Sequence, residues 1–326
     1  MMVLAVAAAA ASHRFEVKQS GEAVAELTLS SPGADWSKAG HEAAMADVRV
    51  DDGAPFQVML YAGDAARKYG VFLGRLEAGA HRLTIARNAA YSAAGAEVKV
   101  HGVQVRGGVD DEVIARAPVL YARKNTIGKF SDVPMIVYAE RLDGVLQYTV
   151  IFTNEDGGTS TRALMARWGR TTDIEYVYRL DTRSGEAIIQ GKGHKDIAYK
   201  GKLEGRHPLL IPVTDNNMVG DDGVSEVRYQ IAPVLVDLAS HSREHVMDED
   251  PLTYQVMARE LEREGKLRPF GQVEGHNISD VRNYAYVEAK VRVRGAGVVT
   301  MLRLKGDPVW RVSSLGRYDY AVDRDG

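Results

Sequence analysis

The chain has 326 residues, 45% of them hydrophobic, which is enough to bury a sizeable core and, at ordinary domain sizes, to form two domains. A formal net charge of −3, with no segment that concentrates lysine and arginine, excludes a nucleic-acid partner. There are no cysteines, which excludes disulfides and thiolate chemistry.

The chain opens on Met1-Met2-Val3-Leu4-Ala5-Val6 and five alanines, an apolar run ending in small residues, as in the core and cleavage site of a secretory signal. The basic residues that usually precede such a run are missing. We expect residues 1–11 to be a signal peptide of a bacterial secreted or periplasmic protein, with Ser12 at the mature terminus. Cleavage one residue later would expose His13 as copper monooxygenases require, but nothing in 14–30 adds to that reading. Roughly ten apolar residues cannot cross a bilayer, so no membrane span is expected.

Short alternating runs follow, at 14–19, 23–30, 45–50, 56–61, 69–73, 81–87 and 97–105. Asp51-Asp52-Gly53 supplies a hairpin-type turn among them. Regular strands without helix-period segments between them predict an antiparallel sandwich or jelly roll. On Ala34-Asp35-Trp36, Gly40-His41-Glu42, Val48-Arg49-Val50-Asp51, Tyr69-Gly70-Val71-Phe72-Leu73-Gly74 and Gly79-Ala80-His81-Arg82-Leu83, residues 12–108 resemble the accessory β-sandwich modules of secreted carbohydrate-active proteins. The resemblance implies sugar binding, with Trp36 either stacking on a sugar ring or filling the core.

Gly107-Gly108 and Asp110-Asp111-Glu112 read as a linker, and Pro118 opens a second domain over 118–326. Its expected strands are 119–122, 135–141, 146–152, 174–180, 187–190, 226–231, 283–293, 298–304 and 309–313. One helix is marked by Asp250 as N-cap, Pro251 at the first position and Gly265 as the stop. The fold class expected is mainly β: two jelly-roll-like β-sandwich domains, the second with one or two helices. Parts of 134–217 are similar to the vacuolar-protein-sorting sixty-two type of β-sandwich, on Gln147-Tyr148-Thr149-Val150, Asp173-Ile174-Glu175-Tyr176-Val177, Gly193-His194 and His207-Pro208-Leu209-Leu210-Ile211. Ile174 stands where that family has a tryptophan, and the similarity implies a sandwich more than a function.

Between Asn154 and Asp222 polar and charged residues crowd into this strand pattern, and there the candidate site is placed. Alternation over 173–180 puts Asp173, Glu175, Val177 and Arg179 on one face and Ile174, Tyr176, Tyr178 and Leu180 on the other. Two carboxylates two residues apart on a strand lie roughly 7 Å apart, the range in which a general acid and a general base flank a glycosidic bond with room for water. Asn154, Arg167, Arg170, His194 and His207 would line one cleft with them, and Asn154, Glu155, Arg167, Arg170 and His207 are the candidates to hold the substrate. Glycoside hydrolysis of a polysaccharide or oligosaccharide is the leading reading. A lyase is the alternative, with His194 and Tyr199 abstracting a proton while arginine neutralises a sugar carboxylate. A third is a non-catalytic glycan-binding or structural surface protein whose polar belt is an ion-pair network.

Asp215, Asn217, Asp221 and Asp222 supply oxygen ligands suited to calcium, although the spacing departs from the EF-hand, and no organic cofactor is expected. His241-Ser242-Arg243-Glu244-His245 matches the H-x-x-E-H zinc pattern, which needs a helix and a further ligand that the sequence does not offer.

Overall fold

The computed structural model describes residues 10–155 and 159–323; most of the expected signal peptide lies outside the described residues. The first half contains β1 (Ala11–Val17), β2 (Gly21–Ser30), β3 (Met45–Val50), β4 (Phe56–Met59), β5 (Arg67–Leu76), β6 (Gly79–Arg87) and β7 (Lys99–Val109). A single turn of helix, α1 (Glu112–Ala115), leads to β8 (Val119–Tyr121), β9 (Pro134–Leu142), β10 (Val145–Phe152), helix α2 (Thr161–Trp168) and β11 (Asp173–Asp181). Short strands follow: β12 (Ala187–Gly191), β13 (Lys195–Ala198), β14 (Leu203–Glu204), β15 (His207–Pro212), β16 (Val219–Gly220), β17 (Arg228–Tyr229) and β18 (Val234–Leu235). Helices α3 (His245–Asp248) and α4 (Leu252–Arg263) close this part.

The chain is mainly β. A nine-stranded sheet runs β1-β6-β3-β4-β17-β8-β15-β14, with β16 paired on β15; a six-stranded sheet runs β13-β12-β11-β10-β9-β18; and β5-β2-β7 form a third. The expected turn at Asp51 is built as read. Asp51 takes φ 49°, and its carboxylate accepts from the Arg82 backbone N–H at 2.8 Å and contacts His81 Nδ1 at 2.8 Å, tying the β3–β4 connection to β6.

The two segments read as separate sandwiches share this sheet. β4 pairs with β17 in parallel at Gln57 and Tyr229, and Val71 bridges to Ile231. Buried side chains from Ala23 to Val256 form one continuous hydrophobic cluster. Gly107-Gly108, expected as a flexible linker, instead completes β7. A Cβ on Gly107 would lie 2.7 Å from Val17 Cγ2, and Gly108 adopts φ 67° against the Gln19 carbonyl, so glycine is needed for close approach, not for flexibility.

Other local expectations shift for identifiable reasons. Helix α2 is capped by Ser160, whose hydroxyl accepts from the Ala163 N–H at 3.2 Å, and ended by Gly169 at φ 67°. Helix α4 follows Pro251 as expected, but the Asp250 carboxylate makes no cap; it binds Arg67. The three strands expected over 283–313 reduce to the pair Met301–Leu302 with Arg311–Val312 and an isolated bridge from Val298 to Val322, and Asn283 instead ends a 3-10 turn that starts at Val281.

Candidate functional site

Where β4 and β5 face β9, β18 and α3, they leave a cavity of about 550 Å³. Its floor is buried and apolar or aromatic: Val58, Met135 and Val137 with Tyr61 and Tyr229 are all under 9% exposed. Polar groups collect at the edge. Arg67 and Asp250 form a two-bonded pair there, with side chains 21% and 25% exposed, and the edge also carries Lys68, Asp237, His245 and Glu249.

The aromatic wall explains the position of Arg67. Its guanidinium lies 5.3 Å from the Tyr61 ring centroid and 6.0 Å from that of Tyr69, and the two rings meet edge to face at 5.6 Å. Burial disfavours its charge, but the Asp250 hydrogen bonds outweigh this and raise its pKa. The Tyr61 hydroxyl donates to the Met135 carbonyl at 3.2 Å, and burial pushes its pKa up to about 12. Tyr69 is buried too, which raises its pKa, yet its hydroxyl has no acceptor among the described residues.

A second group gathers at the start of β11. Asp173 is buried opposite Phe152 and Glu175 opposite Val150, so both point to the face that carries the core, not to a solvated groove. Burial, then the charges of Glu175 and Glu155, raise the Asp173 pKa well above the ordinary carboxylate value, against the opposing Asn217 amide and Arg170. Asn217 donates through Nδ2 to Asp173 at 3.0 Å and lies 3.4 Å from the Asn154 carbonyl. Asn154 in turn accepts the Asp132 N–H at 2.9 Å. Arg170 donates from Nε to Glu244 at 2.8 Å and from its terminal nitrogen to the Thr172 carbonyl. Burial works against the Glu244 charge, but Arg170 and Arg243 outweigh it and hold the pKa below the ordinary value.

The expected alternation along β11 breaks at a bulge. Tyr148 faces Tyr178 but Thr149 faces Tyr176, so Val177 is the extra residue and the face changes there. Val177 is buried in the core and Tyr176 keeps the Ile174 face, opposite Thr149. Beyond the bulge Tyr178 and Leu180 move to the Asp173 and Glu175 face, and Arg179 moves to the other, where it stacks over the Tyr176 ring at 3.7 Å while the Tyr176 hydroxyl donates to Asp196.

The seven residues expected in one cleft do not meet in one. Asn154, Arg170, Asp173 and Glu175 are brought together, and His194 joins only at its edge, with Nδ1 3.9 Å from Glu175 Oε1 and 3.0 Å from Gln190 Nε2. His207 is buried elsewhere, stacked on Phe72 at 4.4 Å and bonded to the Ala117 carbonyl at 2.8 Å. Arg167 donates to the Asp319 carbonyl. Tyr199 does not converge with His194: its hydroxyl donates to the Lys202 carbonyl and accepts the Leu209 N–H at 3.0 Å. Trp36 is 1% exposed and its indole N–H donates to Glu260 at 3.1 Å, so its ring is closed to a sugar.

The expected calcium ligands point to separate partners. Asp215 pairs with Arg123, Asn217 holds Asp173, Asp221 accepts the Lys200 N–H at 2.6 Å, and Asp222 is exposed. Among the described residues no group of three or more histidine or acidic side chains is placed to hold a metal. His241 and His245 stack at 4.0 Å, but Glu244 turns away to Arg170, which corrects the zinc pattern. Sequence reading missed Tyr61, Arg67 and Tyr69; the signal available was a pair of tyrosines around an arginine next to otherwise apolar strands.

No family model matches the chain, and no curated protein matches it. Among solved structures it is similar over part of its length to CBM35 from Cellvibrio japonicus Abf62, with 14% identity, 32% of this chain and 68% of that chain covered, and a TM-score of 0.25. The C-terminal domain of EclA, a sugar-binding protein, aligns at 9% identity over 32% of this chain and 83% of its own, with a TM-score of 0.22. A ruminal GH26 endo-beta-1,4-mannanase aligns at 16% identity over 42% and 27% of the two chains, also at 0.22.

Proposed function

We propose that the chain is a secreted carbohydrate-binding β-sandwich protein whose ligand enters the cavity between β4–β5 and β9–β18. The observation that carries this reading is the cavity itself: about 550 Å³, walled by Tyr61, Tyr69 and Tyr229, and edged by the Arg67–Asp250 pair. Tyrosine rings cover the apolar faces of a sugar ring, and a guanidinium–carboxylate pair offers donors and acceptors in the spacing of neighbouring hydroxyls. Titration calorimetry against a panel of neutral and acidic oligosaccharides tests it. Saturable heat with at least one sugar is expected, and none across the panel counts against it.

Glycoside hydrolysis is the second reading, and one observation favours it. Burial and the neighbouring charges of Glu175 and Glu155 raise the Asp173 pKa well above the ordinary carboxylate value beside a second carboxylate, Glu175, the pairing that an acid and its partner use. Neither residue lines the cavity, so a substrate would need another approach. New reducing ends released from a polysaccharide, and lost in Asp173→Asn, would support it; absorbance from unsaturated products would favour the lyase instead.

A further inference from the structure

The cavity grades from a polar edge to an apolar floor, and that gradient specifies more than a sugar. Resting on the binding reading above, we infer that the ligand is an uncharged glycoside with an apolar aglycone, an alkyl or aryl group seated on the floor while the sugar stays at the edge.

Three observations carry this. First, the floor and walls are supplied by Val58, Met135, Val137, Ile231, Val236 and Val246, surfaces that offer a free sugar no hydrogen bonds. A methylene chain or a phenyl ring gains there by leaving water. Second, the edge has no surplus of positive charge: Arg67 and Lys68 stand with three carboxylates, Asp237, Glu249 and Asp250, and Arg67 is already held by Asp250. A phosphate or carboxylate head would find no excess of positive charge, whereas a hydroxyl-rich neutral head would. Third, the Arg67 and Asp250 side chains line the cavity and are 21% and 25% exposed, so the pair is within reach of a ligand at the edge. A carboxylate and a guanidinium side by side there present acceptors and donors to neighbouring sugar hydroxyls.

The test is calorimetry on the full chain with n-alkyl β-glucosides from methyl to octyl, each below its micelle concentration, with n-octanol as the sugar-free control. Affinity is expected to rise about three- to fourfold per added methylene until the floor is filled. Asp250→Asn should weaken octyl glucoside about tenfold while leaving n-octanol unchanged, because only the glycoside meets the charged pair at the edge. Affinity that is flat with chain length while methyl glucoside binds overturns the aglycone and leaves sugar binding standing. Octanol binding as tightly as octyl glucoside overturns the sugar, and with it the glycoside. No binding by any member overturns the inference.

Discussion

The cavity and the Asp173 group are both rich in polar side chains, yet they are built in opposite ways. Around Asp173 the charges are buried and spent on one another: Arg170 on Glu244, Asn217 on Asp173, Asn154 on the Asp132 N–H. Around the cavity the polar groups stay at a partly open edge above an empty apolar floor. A density of charge in the sequence therefore marks structural bookkeeping in one region, while the region with space for a ligand is lined mostly by residues that read as ordinary strand core.

That contrast breaks first where the buried charges are disturbed. Arg170→Ala leaves Glu244 buried without its guanidinium and should cost about 3–5 kcal/mol in urea unfolding. A loss under 1 kcal/mol would show that the group is solvated and open, restoring it as a site.

Glu260 sharpens the same point through pH. Burial pushes its pKa up to about 8, against Arg263, which approaches Oε1 at 3.2 Å. A carboxylate with a raised folded pKa binds more protons folded than unfolded. Its contribution is therefore complete below the unfolded value near 4.5 and is lost as pH rises through about 8. Stability should fall by roughly 2–4 kcal/mol between pH 5 and pH 9, and Glu260→Gln should flatten that slope. An unchanged slope in the variant assigns it to other groups.

How far the sequence carried depends on whether a signal is local. Strand β3 was read at its observed bounds, and α4 was found from Pro251 and Gly265, because alternation and helix punctuation reside in consecutive residues. Helix α2 was missed although Ser160 and Gly169 cap it, since three of its eight residues are charged or polar arginines and threonine and its apolar stripe is narrow. The bulge at Val177, which sends Tyr178, Arg179 and Leu180 to the faces opposite those expected, depends on the partner strand and has no mark in β11 itself. The cavity was least legible of all. It exists because Gln57 pairs with Tyr229 and Val71 with Ile231, registers between residues far apart in the chain.

Smaller effects separate the two regions further. Asp173→Asn keeps an oxygen for the Asn217 amide and removes repulsion with Glu175 and Glu155, so stability at pH 7 should change by less than about 1 kcal/mol, and upward if at all. A loss above 3 kcal/mol would mean that the Asp173 charge itself holds the fold.

The most direct measurement compares sugar or alkyl glucoside binding by calorimetry in Val236→Trp, which fills the cavity from its half-buried wall, and in Asp173→Asn. If the cavity is the site, Val236→Trp weakens binding at least tenfold with its fold retained, and Asp173→Asn binds as the unmodified chain does. Binding lost in Asp173→Asn and kept in Val236→Trp would contradict the assignment and return the function to the buried carboxylates.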